Sequence, residues 1–100
     1  MSKDGILVTI LNLDKKTHQL LIKPNITTRG FVMVNDNKAL IQDIENKVSE
    51  ITNNAVKNKT NITDLKNMII LELSMYINKL TGRRPMVLPV VMEVEKLKND

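Results

Sequence analysis

Thr81-Gly82-Arg83-Arg84-Pro85-Met86-Val87-Leu88-Pro89-Val90-Val91-Met92-Glu93-Val94 is the stretch on which the fold turns. Gly82 stands where a left-handed residue would close a helix, two arginines and Pro85 carry the chain on, and residues 86–94 read as a strand. Along that strand Met86, Leu88, Val90, Met92 and Val94 fall on one face, and Val87, Pro89 and Val91 on the other. A strand that is apolar on both faces needs a cover on both. If helices take the first face, then Val87, Pro89 and Val91 are an assembly surface that waits for a lid. Pro89 has no N–H to give to a ladder, so the strand belongs at a sheet edge or carries a bulge. An apolar edge is itself a template for pairing with another chain.

Before this stretch, the apolar residues fall twice into helical spacing. Leu65, Ile69, Leu73, Tyr76, Ile77 and Leu80 recur at three and four, and Met68 and Leu71 widen the stripe. Asn61-Ile62-Thr63-Asp64 resembles a capping box, with Asp64 where Glu or Gln is usual. Further upstream Leu40, Ile41, Ile44, Val48, Ile51 and Ala55 form another face, opposite Gln42, Asp43, Glu45, Asn46, Lys47 and Glu50. Asn35-Asp36-Asn37 offers its N-cap, and residues 57–60 make a polar connection between the two helices. Helices joined so closely lie antiparallel and share one apolar side, which needs a sheet.

The sheet comes from the two ends of the chain. Residues 6–13 (ILVTILNL) are β-branched and apolar, and too short for a typical helix. The turn Asp14-Lys15-Lys16-Thr17-His18 follows, and residues 19–23 (QLLIK) read as the returning strand of a hairpin that ends at Pro24. Residues 25–34 are extended in character, with a break at Gly30 that supplies a positive φ or a bulge. Phe31, Val32 and Val34 then bring the chain back to the core. The expected fold is α+β: a three-stranded sheet covered on one face by two antiparallel helices, in the order β-β-α-α-β. It forms a single domain over residues 1–100, ordered from about 4 to 95.

Composition narrows the chemistry. Only Phe31 and Tyr76 are aromatic, so the core is aliphatic, with Met filling gaps. With no Cys there is neither a disulfide nor a thiolate metal site, which fits a reducing compartment. The opening residues lack the apolar run of a signal peptide, and no apolar run approaches the ~20 residues that span a bilayer. The net charge of +4 invites a nucleic-acid partner. Its lysines, however, are scattered among acids as on a solvated face, where binders cluster their charge. Arg29, Arg83 and Arg84 remain the candidates for contact with RNA or a partner. His18 is the only histidine and has only Asp14 near it in sequence, so it reads as a solvated turn residue and not as a metal ligand. The chain has no phosphate-cradling Gly loop, no Ser–His–Asp or Cys–His grouping and no acidic cluster at metal-ligand spacing. Neither catalytic nor metal residues are expected in it.

Three stretches together resemble the C-terminal region of the bacterial ribonuclease J family. They are Asp4-Gly5-Ile6 with Leu13-Asp14-Lys15-Lys16-Thr17, then Thr28-Arg29-Gly30-Phe31-Val32, and then the run from Thr81 to Val94. Thr28 stands where the family usually has Ser, and Met33 where it usually has Tyr. The resemblance implies a small domain of three strands and two helices, linked to a cytoplasmic metallo-β-lactamase/β-CASP ribonuclease. Such enzymes degrade and mature RNA, ribosomal RNA included, by 5′-to-3′ exonucleolytic and endonucleolytic hydrolysis. Their zinc is held by a His-x-His-x-Asp-His motif that this chain does not contain. The resemblance further implies that the domain supports activity and assembly, its partners being the catalytic body and a homo- or paralogue oligomer. Met1-Ser2-Lys3 reads as the start of an excised domain. A weaker reading keeps the chain as an accessory RNA-binding module.

Overall fold

A computed structural model of the chain describes residues 5–30 and 38–95. Strand β1 (Ile6–Asp14) occupies the centre of a three-stranded sheet, between β2 (Asn25–Arg29) and β3 (Met86–Val94). β2 runs antiparallel to β1, and β3 runs parallel to it. A parallel neighbour needs a crossover. Here it is made by β2 and two helices, α1 (Lys38–Lys57) and α2 (Ile62–Thr81). The expected architecture and element order are those of the structure. Phe31, Val32 and Val34, the proposed N-caps Asn35 to Asn37, and the tail beyond Glu95 lie outside the described residues.

The returning strand begins later than the sequence suggested. Leu13 does face Leu20, but only as an isolated bridge, and the named strand starts at Asn25. Three steps along β1, from Leu13 to Ile10, are matched by five on the other side, from Leu20 to Asn25, so two residues are looped out. The pairing leaves off at Leu21, whose N–H donates to the Asn12 carbonyl, and resumes at Asn25 opposite Ile10. Ile22, in the same looped segment, lies in solvent. The turn before it is organised by Asp14, whose Oδ1 accepts from the N–H groups of Lys16 (2.8 Å) and Thr17 (3.4 Å).

Both helices cover the same side of the sheet. α2 packs on β3, and α1 packs on α2 and reaches β2. Between the layers lie Leu7, Leu11 and Leu13 of β1, Leu40, Ile44, Val48, Ile51 and Ala55 of α1, Leu65, Ile69, Leu73 and Ile77 of α2, and Val87 of β3. Among the described residues the fully buried core is thus aliphatic, with Tyr76 packed against it. Leu71 and Leu80 are exceptions to the expected stripe: both are exposed, Leu71 because it points away from the Leu65–Ile69–Leu73 side and Leu80 because it lies in the last turn.

The helix ends follow local chemistry. Asn61 caps α2, its Oδ1 accepting from the Asp64 N–H at 2.8 Å. The Asp64 carboxylate answers the Asn61 side-chain amide at 3.2 Å, so the box is reciprocal, but through side chains. Gly82 ends the helix at φ 74°, its N–H donating to the Asn78 carbonyl. A Cβ there would meet nothing within 4 Å, so the backbone conformation, not packing, selects glycine. α1 ends in the same way without glycine. Lys59 takes φ 54°, while the Thr60 and Lys59 N–H groups bond back to the Ala55 and Val56 carbonyls, a Schellman closure.

Two buried threonines differ. Thr52 returns its hydroxyl to the Val48 carbonyl at 2.8 Å. Thr9, fully buried at the centre of β1, has a hydroxyl without a hydrogen-bond partner among the described residues. Thr9→Val keeps the shape and removes that desolvated group, so it should stabilise the domain by about 1–2 kcal/mol. Thermal unfolding should show a midpoint several degrees higher; a lower midpoint would mean the hydroxyl is satisfied.

Candidate docking surface

Strand period and register define the uncovered side. In β1 the odd positions Leu7, Thr9, Leu11 and Leu13 are buried against the helices, and Ile6, Val8, Ile10 and Asn12 turn the other way. The parallel register sets Ile6 beside Met86, Val8 beside Leu88, Ile10 beside Val90 and Asn12 beside Met92. Across β2 the same rows continue as Arg29, Thr27 and Asn25. The uncovered face is therefore an apolar strip two strands wide, with a polar margin along β2.

Its exposure is unusual for so small a core. Met86 is 46% exposed, Met92 50%, and Leu88, Val90 and Val94 are comparable. Single exposed apolar residues are ordinary on protein surfaces, whereas a contiguous strip marks an interaction site. By strand dimensions the strip is about 30 Å long and about 10 Å wide.

An assembly surface on Val87, Pro89 and Val91 would need the helices to cover the opposite face of β3, and the structure corrects that expectation. Val87 is 4% exposed and belongs to the core, and Val91 packs partly buried against it. Pro89, beside the buried Thr9, is half-buried. The residues singled out as an assembly surface thus lie toward the helix layer, and Met86, Leu88, Val90, Met92 and Val94 are on the open side. Ile6, Val8 and Ile10, which were not singled out, complete the strip. A signal for them was present in Asn12, the polar residue that marks their face of β1 as outward.

The three arginines are gathered at one end. Arg29 closes β2 in the row of Ile6 and Met86, while Arg83 and Arg84, both exposed, occupy the connection from α2 into β3. The opposite end carries His18, whose Nε2 lies 3.5 Å from the Glu93 carboxylate. The turn histidine, expected to be solvated with only Asp14 near it, is partly buried and faces a carboxylate from β3. On the other side of the domain, Leu71, Met75 and Tyr76 of α2 line a shallow groove with Lys47, Lys79 and Arg84. Lys47 sits 5.6 Å from the Tyr76 ring centre and ties α1 to α2.

Among the described residues no three His, Cys, Asp or Glu side chains come together as metal ligands. Zinc therefore finds no donor set among them. No helix among them is long and apolar enough to cross a membrane.

Comparison with known proteins agrees with the geometry. Residues 1–94 match the family model described as "Ribonuclease J C-terminal domain". Over 95 residues, 94% of this chain, it is 33% identical to a protein named Ribonuclease J 2 from Staphylococcus saprophyticus. It is 35% identical to Ribonuclease J2 of Bacillus subtilis and 32% to Ribonuclease J 2 of Staphylococcus aureus over the same length. The chain spans 17% of the length of each of these curated relatives.

Proposed function

Because the chain belongs to the ribonuclease J C-terminal domain family, we propose that it is a non-catalytic assembly domain whose open sheet face docks on a second copy of itself. It thereby supports the oligomer and the activity of a zinc-dependent 5′-to-3′ exo- and endoribonuclease acting in cytoplasmic RNA decay and ribosomal RNA processing. The hydrolysis and the zinc belong to the metallo-β-lactamase portion of such an enzyme. The observation that carries this reading is the apolar strip of β1 and β3.

A second copy suits the strip because two-fold interfaces are self-complementary. Apolar pairs run from Ile6–Met86 to Ile10–Val90, and Met92 and Val94 continue the β3 row beside Asn12 and Asp14, so rotation of one copy about the Ile10–Val90 row opposes apolar side chains around the axis. Two sheets stacked in this way enclose an ordinary sandwich core. A footprint of about 300 Å² per copy, from the strand dimensions, is well below the ~800 Å² per partner of standard interfaces, so the pair is a weak one. Association is therefore concentration-dependent. Sedimentation across a range of concentrations, at near-physiological salt, should show the 11.4 kDa chain passing to twice that mass. A monomer throughout would reject the second copy as occupant and leave the strip to the catalytic body.

A second reading rests on the placement of Arg29, Arg83 and Arg84 at one end of the sheet. There they would contact RNA phosphates, and affinity for a short single strand would fall with salt at a slope of about −0.7 per phosphate neutralised. With so few aromatics, base stacking adds little. Binding that is absent, or insensitive to salt, rejects this reading.

A further inference from the structure

What β3 can offer to an incoming strand depends on the phase of its hydrogen bonds. The Met86 N–H donates to the Gly5 carbonyl at 2.8 Å, and the Val94 carbonyl accepts from the Lys15 N–H at 3.0 Å. In a ladder, alternate residues turn both backbone polar groups to the same neighbour, and those between turn theirs away. Met86, Leu88, Val90, Met92 and Val94 therefore direct their backbone groups to β1. Val87, Pro89, Val91 and Glu93 direct theirs to the outer side of β3, where no strand lies among the described residues. Of these four, Pro89 alone has a carbonyl and no N–H. This phase also explains how a proline sits inside a paired strand: its missing donor points away from the ladder.

We infer that Pro89 is a specificity-determining residue of assembly, closing the outer edge of β3 to a second copy of the same strand. The two copies meet face to face and do not join edge to edge into one continuous sheet.

Symmetry sets the cost of pairing two such edges. A two-fold edge-to-edge pair aligns β3 antiparallel with its copy, and residues facing each other exchange two hydrogen bonds. Where Pro89 faces Val91 of the copy, one bond is missing, and symmetry removes another. Where Pro89 faces Pro89, both are missing at the centre. Either alignment leaves carbonyls unmet within the new ladder, which is the costly side of hydrogen bonding. Glu93 adds a charge on the same edge, and charge and proline are the usual means of keeping edges unpaired. The apolar side chains of the open face meet no such obstacle.

This inference rests on the assembly reading only for the phrase face to face; the closure of the edge stands on the hydrogen-bond phase alone. The test restores the donor in the whole chain with Pro89→Ala and Pro89→Val, each checked for native circular dichroism. Both are compared with the wild type by sedimentation and by amide exchange at Val87, Val91 and Glu93. In the wild type these three amides should exchange equally fast in dilute and concentrated samples. The variants should associate at about tenfold lower concentration or below, as two restored hydrogen bonds would give, and protect those amides as they do so. Two results overturn the inference. One is protection of the same amides when the wild type associates, which makes the edge its interface. The other is folded variants that sediment as the wild type does, which shows that Pro89 closes nothing. A monomeric wild type with self-associating variants rejects the second-copy reading of the face and upholds the closed edge.

Discussion

Val87→Asp should unfold the domain at neutral pH. Val87 is the one residue of β3 in the buried core, lying between Leu7 of the central strand and the α2 layer. The substitution loses about 1.5–3 kcal/mol of side-chain burial and sets a carboxylate where neither water nor a cation compensates it, at a further cost of several kcal/mol. A domain of this size has about 5–15 kcal/mol to lose. Burial raises the pKa of the introduced carboxyl in the folded state above its unfolded value. The destabilisation is therefore smallest below the unfolded pKa, near 4, and grows as pH rises through the folded one. Urea denaturation followed by circular dichroism measures this. A neutral-pH midpoint equal to the wild type's would mean that the helices do not cover the Val87 side of β3.

The contrast between the two faces of β3 shows what was legible in the chain. Its strand character, the Gly82 stop and the edge placement implied by Pro89 all depend on local chemistry, and all appear in the structure. Which face the helices take is not local. Met86 to Val94 is apolar at odd and even positions alike, so alternation carries no sign. Sign enters only through the parallel register with β1, where Leu7, Leu11 and Leu13 oppose Asn12. That register pairs residues about 80 positions apart, and no pattern within either strand encodes it. Leu71 has a similar lesson. It falls within helical spacing of the core residues, yet α2 packs on β3 along Leu65, Ile69, Leu73 and Ile77, and Leu71 points out. The hairpin differs because side-chain character does not fix register: Leu20 and Leu21 have strand-like side chains, yet Leu20 meets β1 only in an isolated bridge, two residues out of register with Asn25–Arg29.

Val90→Asp, in contrast to Val87→Asp, should leave the fold intact and abolish association. Val90 is 39% exposed, lies on the open side and belongs to the row about which the two copies are related. In the monomer the new carboxylate stays in water, so the unfolding midpoint should move by little more than the ~0.5 kcal/mol of an ordinary surface change. In the dimer the substitution occurs twice, and near the two-fold axis the two carboxylates face each other. Losing the burial of two valines costs about 2–4 kcal/mol, and desolvating like charges adds to it. A total of ~4 kcal/mol weakens association about a thousandfold, enough to remove the dimer from any ordinary sedimentation experiment. Arg29→Glu serves as the comparison, since it reverses a charge at the far end of the strip and leaves the apolar rows untouched. The two readings of the surface then separate cleanly. If the strip is the interface, Val90→Asp dissociates the dimer and Arg29→Glu does not. If the arginine end is the working surface, Arg29→Glu abolishes salt-dependent RNA binding, and Val90→Asp leaves both that binding and the sedimenting mass unchanged.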